Sequence, residues 1–251
     1  MKTARIILLF PLALFRLIAV FMISMYVTFA GWCWLKFFGF SRQLQNRVQK
    51  SWGKSILFVC GIKIERNDLP ETNHFILMPN HRSYVDIFIV AALTPSAFVG
   101  KAELKKWPFL KLGAKLTNSI FVSRADLQSR VSTLHKIKES VNQKIPVALF
   151  PEGTTSKGPL TKSFKNGSFK IAGDTNIPVI PMAIHFPDEK DAWIDDDTFV
   201  GHFFRQMSKP VTKVYVKYGV PLSNEDYKIL QQETKTLINS MLEELEKQAK
   251  P

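Results

Sequence analysis

From about residue 61 onward, short apolar runs alternate with stretches of helical periodicity. Short apolar runs bounded by turn residues are typical of strands that are buried on both faces of a sheet, and the helices between them connect parallel neighbours. The pattern therefore predicts the α/β fold class, with a mostly parallel sheet flanked by helices. The predicted strands cover residues 62–65, 75–78, 97–100, 120–123, 146–150, 179–184 and 211–218. The predicted helices cover residues 84–93, 103–116, 127–143 and 167–173, and a last helix begins near Ser223 and Asp226.

The first 60 residues have a different character, because residues 6–35 are almost continuously apolar. Residues 17–35 carry no charge and lie between Arg16 and Lys36, so this stretch is long enough to cross a bilayer or to lie deep in one leaflet. A secretory signal peptide is the alternative, but the apolar run continues past Arg16 and no small-residue cleavage site follows. We therefore expect a retained membrane anchor.

Residues 41–60 predict a second, amphipathic helix beside this anchor. Its apolar residues recur every fourth position, at Leu44, Val48, Trp52 and Ile56, and its basic residues lie on another side. Such a helix suits the surface of an anionic membrane, although an ordinary surface helix shows the same pattern. We expect residues 1–60 to anchor the chain and residues 61–251 to form its main domain. Basic residues after the anchor favour a cytoplasmic position for that domain, at the inner membrane.

The charge balance narrows the class of partner. Lys and Arg total 34 against 21 Asp and Glu, which gives a formal net charge of +13 and favours an anionic partner. The basic residues are scattered and the aromatic residues lie in apolar runs, so membrane lipids are favoured and nucleic acid is not expected. Two cysteines, Cys33 and Cys60, make no disulfide framework. The acidic run 195–197 is interpreted as a solvated loop, and we predict no metal site.

Asn80 to Asp86 is the first stretch that can carry chemistry. It lies between two apolar runs and predicts a strand, a tight loop with His81, and a helix with Asp86 in its first turn. An imidazole can accept a proton near neutral pH, and a carboxylate that contacts it can orient it. Within one helix the two side chains would lie about 140° apart, but across a bend they can meet. Ser83 and Asp86 also fit a capping box, in which case His81 would be structural. The residues alone leave both interpretations open.

Two further strand ends carry polar groups. Glu152 follows an apolar strand and precedes Gly153 and Thr154, which offers a carboxylate and backbone donors for an anionic group. Arg124 ends another apolar strand and can hold a phosphate through its planar fork. A solvated glutamate turn and an isolated surface arginine are the alternatives.

These elements together resemble the glycerolipid acyltransferases, of which the 1-acylglycerol-3-phosphate acyltransferases are the best-known bacterial members. His81 and Asp86 match the family's first motif of histidine, four residues and aspartate. The second motif is matched by residues 101–104, by Pro108 and Phe109, and by the strand that ends in Arg124. Residues 150–154 match the third motif and residues 179–182 the fourth. The motifs agree in order and spacing from about residue 60 to 190.

The resemblance implies transfer of a fatty acyl group from a thioester to the sn-2 hydroxyl of 1-acylglycerol 3-phosphate, giving phosphatidic acid. The donor would be acyl-CoA or an acyl-carrier protein, with no other cofactor. By resemblance, His81 would be the general base and Asp86 would orient it. Lys101 and Arg124 would bind the acceptor phosphate, in a pocket shaped by the residues that follow the third motif's strand, Glu152, Gly153 and Thr154. Family members also carry two membrane-embedded N-terminal helices, which the segments before residue 60 resemble.

Two positions depart from the family pattern. Many members that form phosphatidic acid have an arginine where this chain has Thr155, and Lys157 and Lys162 are the candidates to compensate for that missing cation. Another lysolipid, such as a lyso-phospholipid or a lyso-ornithine lipid, is therefore an alternative acceptor. Asn118 replaces a glycine, which is a mild change because asparagine tolerates a left-handed backbone. A lipid hydrolase and a non-enzymatic membrane binder are further alternatives, but no Gly-x-Ser-x-Gly stretch is present.

Overall fold

The computed structural model describes residues 2–72, 74–102, 108–123, 126–194 and 197–250. In this part of the chain the α-helices are α1 (Lys2–Phe38), α2 (Arg42–Val59), α3 (Val85–Leu93), α4 (Pro108–Leu116), α5 (Leu127–Asn142), α6 (Asn166–Thr175), α7 (Phe199–Met207) and α8 (Tyr227–Ala249). The strands are β1 (Ile62–Arg66), β2 (Ile76–Pro79), β3 (Ala97–Lys101), β4 (Ile120–Val122), β5 (Val147–Ala148), β6 (Val179–His185) and β7 (Thr212–Tyr218).

The described strands form one sheet in the order β1-β7-β6-β2-β5-β3-β4. Every neighbouring pair is parallel except β6 and β7, which are antiparallel. The predicted mostly parallel sheet flanked by helices is confirmed. Because β6, β2, β5, β3 and β4 run in the same direction, their carboxyl ends meet at one edge of the sheet. The first and third motifs, at the ends of β2 and β5, therefore lie along this edge, whereas the fourth, residues 179–182, forms the first half of β6.

Hydrophobic cores cover both faces of the sheet, and β2 shows how the sequence builds them. Successive residues of a strand point to opposite faces. Leu77 belongs to a core formed with helices α2, α3 and α7, whereas Ile76 and Met78 belong to a core formed with α5, α6 and α8. All four residues of β2 are buried, as expected for a central strand.

The predicted elements differ from the observed ones in three places. Strand β5 has two residues, Val147–Ala148, where five were predicted. Helix α8 begins at Tyr227, and its cap is Asp226, which accepts from the Lys228 amide over 2.8 Å, whereas Ser223 lies before the helix. Helix α7 was not predicted, because its buried face carries the polar His202 and Gln206 beside Phe203 and Met207 and so obscures the apolar periodicity. The predicted start of α4, residues 103–107, lies outside the described residues.

The two N-terminal helices pack on the main domain. Helix α1 contacts α2, α4 and α7, and α2 lies along α3. The α2–α3 approach requires Gly53, since a Cβ there would lie 2.6 Å from the Ala92 amide nitrogen. Within the described residues, one helical stretch, Phe10–Phe38, is long and apolar enough to cross a membrane. Helix α2 does not meet that measure, so its membrane embedding stays a prediction.

Arg16 is a buried cation inside this apolar helix. Its guanidinium donates to the carbonyls of Val59 (2.9 Å), Met207 (2.8 Å), Lys209 (2.6 Å) and Pro210 (2.9 Å). These carbonyls lie at or just beyond the carboxyl ends of α2 and α7, where helix carbonyls lack intrahelical partners and favour positive charge. Arg16 therefore fixes α1 against both helices.

Candidate active site

Two loops follow the adjacent strands β2 and β5 and lie side by side at the carboxyl edge of the sheet. We name residues 80–84 the histidine loop and residues 150–162 the glutamate loop. The histidine loop starts at Asn80, whose buried side chain accepts from the Ile184 amide (2.7 Å) and donates to the Ile184 carbonyl (3.0 Å). The Ser156 amide donates to the His81 carbonyl over 2.9 Å. A backbone hydrogen bond thus connects the two loops directly.

His81 and Asp86 meet across the bend between β2 and α3. The Nδ1 atom of His81 lies 2.8 Å from Oδ2 of Asp86, with the His81 side chain 18% exposed and Asp86 fully buried. The imidazole ring also stacks on Phe150 at a centroid distance of 4.2 Å. A carboxylate at Nδ1 favours the tautomer with its proton on that nitrogen, which leaves the lone pair on Nε2. The arrangement can therefore accept a proton at Nε2 and stabilise the imidazolium that results.

Asp86 also accepts hydrogen bonds from the histidine loop just before α3. Its Oδ2 atom accepts from the backbone amides of Arg82 (2.6 Å) and Ser83 (2.9 Å), in addition to the imidazole. The sequence left a choice between a capping carboxylate and one that orients the histidine. In the structure the N-cap of α3 is Tyr84, which makes no side-chain cap hydrogen bond. One oxygen of Asp86 contacts both the imidazole and the two loop amides, so these amides hold Asp86 in place against His81.

Glu152 is buried and connects the two loops. Its Oε1 atom accepts from the His81 amide over 2.8 Å, and its Oε2 atom accepts from the Ser156 hydroxyl (2.8 Å) and the Lys162 amide (2.9 Å). Only 1% of the residue is exposed. Both carboxylate oxygens are therefore engaged by the protein itself, and this geometry suits a residue that positions His81.

The residues after Glu152 form the outer part of the glutamate loop. Gly153 has φ +72°, a left-handed conformation that favours glycine, and its amide donates to the Phe150 carbonyl over 3.1 Å. Thr154 is exposed. The hydroxyl of Thr155 donates to the Trp193 carbonyl, so this side chain is directed at the segment after β6.

Arg82 is part of the site, and sequence reasoning missed it. Its guanidinium is buried and donates to the Ser156 hydroxyl and to the carbonyls of Ser156 (3.2 Å) and Pro159 (2.8 Å). Burial lowers the pKa of this guanidinium, while the charges of Glu152 and Asp86 oppose that shift. A basic residue beside a histidine gives no signal of burial, since arginines are mostly exposed. Arg82 fixes the outer half of the glutamate loop to the histidine loop.

The segment between β6 and α7 also contacts both loops. The Trp193 amide donates to the Arg82 carbonyl over 2.9 Å, and the Trp193 carbonyl accepts from Thr155. Tyr84 packs against the rings of Trp193, Phe199 and His202, at centroid distances between 5.1 and 5.7 Å. Burial raises the pKa of the Tyr84 hydroxyl. This segment showed no secondary-structure pattern in the sequence, yet it supports the site.

Of the two predicted phosphate-binding cations, the structure describes the backbone of Lys101 only. Lys101 is the last residue of β3, which neighbours β5, so its backbone lies at the same edge as the two loops. Arg124 lies outside the described residues. Within the described residues, no group of three or more His, Cys, Asp or Glu side chains is arranged to hold a metal ion. Asp197 of the acidic run accepts from Arg205 over 2.6 and 3.0 Å, and residues 195 and 196 are not described.

Comparison with known proteins identifies the family of the chain. A family model described as "Acyltransferase" matches residues 61–185, which contain both loops and the strands that position them. The chain belongs to the glycerolipid acyltransferase family. The family recognised from the motifs is thereby confirmed.

Relatives within the family carry two different names. The lyso-ornithine lipid O-acyltransferase of Pseudomonas aeruginosa is 24% identical over 187 residues, covering 72% of each chain. The 1-acyl-sn-glycerol-3-phosphate acyltransferase of Neisseria gonorrhoeae is 29% identical over 147 residues, covering 58% of each chain. The crystal structure of the 1-acyl-sn-glycerophosphate acyltransferase of Thermotoga maritima matches with a TM-score of 0.72 at 22% identity, covering 100% of this chain and 99% of that one. The structural match supports the acyltransferase fold over the whole chain.

Proposed function

We propose that this acyltransferase moves a fatty acyl group from a thioester to the sn-2 hydroxyl of 1-acylglycerol 3-phosphate, giving phosphatidic acid. His81 is the general base and Asp86 orients it. The observation that carries the proposal is the 2.8 Å contact between His81 Nδ1 and the buried Asp86 carboxylate, at the positions of the family's first motif. The acyl donor is acyl-CoA or an acyl-carrier protein, and no other cofactor takes part.

The proposed reaction is a direct transfer. Nε2 of His81 takes the proton of the acceptor hydroxyl as the oxygen attacks the thioester carbonyl. The carbon–sulfur bond then breaks, and the departing thiolate receives the proton from the imidazolium. Asp86 stabilises the imidazolium between these two steps, while Glu152 holds the His81 backbone. The transfer needs no acyl-enzyme intermediate.

The acceptor headgroup is proposed to bind at the edge where β3, β4 and β5 end. Lys101 and Arg124 supply charge for its phosphate, and Gly153 and Thr154 shape the pocket with Glu152. A lyso-ornithine lipid is the second candidate acceptor. It is favoured by Thr155, which stands where many members that form phosphatidic acid have an arginine, and by the similarity to the Pseudomonas enzyme of that name.

Membrane association is proposed through residues 1–60, with residues 61–251 as the catalytic domain. The large apolar side chains on the outer face of α1 support it, since Phe15 is 62% exposed, Tyr26 is 73% exposed and Phe29 is 63% exposed. Contiguous exposed apolar surface of this kind marks a membrane or protein contact. We place the catalytic domain on the cytoplasmic side of the inner membrane, where the lysolipid acceptor reaches it from the bilayer.

The test is His81→Ala in the full-length purified protein, with His74→Ala as the matched control because His74 is exposed. Acyl transfer is measured with both donor types and a panel of lysolipid acceptors, and folding is checked by thermal unfolding. Loss of a general base should lower kcat about 10²- to 10⁴-fold, whereas His74→Ala should leave it unchanged. Undiminished transfer by a folded His81→Ala protein would exclude the proposal. Release of free fatty acid by the wild type without an acceptor would indicate a hydrolase instead.

A further inference from the structure

The histidine and glutamate loops carry three cationic side chains, Arg82, Lys157 and Lys162. These cations are the candidates in the two loops for binding an anionic headgroup that an acceptor presents beside His81. Each cation that already has a full set of protein partners is a poor ligand for a substrate, because a new contact would have to replace an existing one. The partners of the three therefore decide which of them can bind a headgroup.

Arg82 and Lys157 both have partners. The Arg82 guanidinium is buried and donates to Ser156 and Pro159, as described above. Lys157 forms an ion pair with Glu189, with its Nζ atom 3.2 Å from Oε2. Both Lys157 and Glu189 are more than half exposed, so this pair is weak, but it gives the ammonium a carboxylate partner in the segment after β6.

Lys162 differs from both. Its backbone amide donates to Oε2 of Glu152, and the His81 amide donates to Oε1 of the same carboxylate. The Glu152 side chain therefore links the backbone of Lys162 to that of His81. Its Nζ atom lies 3.4 Å from the carbonyl of Thr155. Among the described residues, no carboxylate lies within 4.0 Å of this ammonium. The Lys162 side chain is exposed and can exchange its long contact to a carbonyl for a contact to a substrate oxygen.

Thr155 does not compete for the same role. Its hydroxyl is committed to the Trp193 carbonyl, so it offers no donor to a headgroup. The Thr155 carbonyl instead accepts a hydrogen bond from the Lys162 ammonium. This contact places a positive charge beside Thr155, whose own side chain is neutral.

We infer that Lys162 binds an anionic oxygen of the acceptor headgroup and thereby sets the preference for charged over neutral lysolipids. The inference rests on the proposed function and deepens it, because it adds a residue to the acceptor site beyond Lys101 and Arg124. The chemistry recognised is an anionic oxygen, which a phosphate monoester and the carboxylate of a lyso-ornithine lipid both supply. Lys162 acts on binding and not on proton transfer, so its effect falls on KM.

The experiment compares Lys162→Gln with Lys157→Gln in the full-length protein. The acceptors are 1-acylglycerol 3-phosphate, a lyso-ornithine lipid and the neutral 1-acylglycerol, presented in the same mixed micelles. A hydrogen bond to a charged group is worth enough that Lys162→Gln should raise KM about 10-fold or more for the anionic acceptor that the wild type uses. Its KM for the neutral acceptor and its kcat should change less than about 2-fold, as should all values for Lys157→Gln. Lys162→Arg should restore most of the affinity.

The outcomes separate this inference from the proposed function. If the wild type transfers acyl groups but Lys162→Gln leaves every KM unchanged, or raises all of them equally, the headgroup role of Lys162 is overturned and the acyltransferase proposal stands. If the wild type acylates none of the acceptors with either donor, the proposed function itself fails. A second readout is ionic strength: the KM of the wild type for the anionic acceptor should rise with salt, and this dependence should be weaker in Lys162→Gln.

Discussion

The two loops at the sheet edge and the outer face of helix α1 differ in what surrounds their side chains. In the histidine and glutamate loops, Asp86 and Glu152 are buried and accept five hydrogen bonds from backbone amides and a hydroxyl, besides the contact to the imidazole. On the outer face of α1, large apolar side chains such as Phe15 and Phe29 are mostly exposed. The first region depends on directional contacts between named atoms, whereas the second depends on apolar area.

This difference has a consequence for substitution. A buried donor that loses its acceptor costs free energy at once, because water cannot replace the partner. An exposed apolar residue on a lipid-facing helix can be exchanged for another of similar size with little effect on folding. Arg16 is the exception on α1, since it is buried and makes four hydrogen bonds to carbonyls. Its four contacts add to the hydrogen bond that Trp52 Nε1 of α2 donates to Ser24 Oγ of α1 over 2.9 Å.

The largest effect is expected from Glu152→Ala. The substitution leaves three donors in or beside a buried site without an acceptor, the amides of His81 and Lys162 and the hydroxyl of Ser156. At about 1–3 kcal/mol for each buried unsatisfied group, the free energy of unfolding should fall by about 3 kcal/mol or more. Because the His81 backbone loses its support, kcat should fall by about 100-fold. Denaturant unfolding and acyl-transfer kinetics measure the two effects.

Two variants sharpen this comparison. Glu152→Gln keeps one oxygen acceptor and nearly the same volume, so it should lose less stability than Glu152→Ala. Glu189→Ala removes an exposed carboxylate from the ion pair with Lys157 and should change stability by less than about 0.5 kcal/mol. Equal effects of Glu152→Ala and Glu189→Ala would show that the buried network does not support the histidine loop.

The second prediction concerns Arg16→Met, which leaves the carbonyls of Val59, Met207, Lys209 and Pro210 without their shared donor. We expect the free energy of unfolding to fall by about 2–4 kcal/mol, because these partly buried acceptors lose charge-assisted hydrogen bonds. The matched control is Lys36→Met, which removes a charge from the same helix at an exposed position. Chemical denaturation in a mild detergent compares them. A loss no greater than that of the control would mean that packing alone holds α1 in place.

Much of the architecture could be predicted because it follows from local patterns. The strands were found from short apolar runs, and the run that became β2 alternates between the two cores of the sheet. The spacing of His81 and Asp86 allowed them to meet across a predicted bend, and the resemblance to the family's first motif favoured that pairing over a capping role. The structure places the two side chains 2.8 Å apart. In each case the information lies within a few consecutive residues.

The remaining features depend on contacts between distant parts of the chain. The partners of Arg82 lie 74 to 78 residues away, in the glutamate loop, and nothing in its own neighbourhood indicates them. Helix α7 was missed because His202 and Gln206 lie on its buried face. The His202 ring reaches the Tyr84 hydroxyl at 3.3 Å, so its burial is explained only once α3 and α7 are packed together. Likewise, the sequence shows Arg16 only as a charge that interrupts an apolar run, and its burial is explained only by the carbonyls that it contacts.

The smallest effect on folding is expected from probes on the apolar surface beside α1. Phe58 is 86% exposed and precedes Val59, which Arg16 contacts, and Val200 is 60% exposed and lies one turn before Phe204, which stacks on Phe10 at 4.8 Å. If the α1 face meets lipid, these two positions should meet it as well. Single cysteines at these positions carry a polarity-sensitive fluorophore. Brominated lipids in vesicles should quench the fluorescence of these labels, while the free energy of unfolding changes by less than about 0.5 kcal/mol.

The controls for this experiment lie on the other side of the sheet. Val131 of α5 and Ile229 of α8 are exposed to 49% and 47%, but their helices pack on the core that does not include α1. Labels at these positions should keep the emission of a probe in water and show no quenching. Cys33 and Cys60 are first replaced so that each protein carries a single label. Equal quenching at all four positions, or none at 58 and 200, would contradict a lipid-facing surface around α1 and would leave its exposed apolar side chains to be covered by another protein.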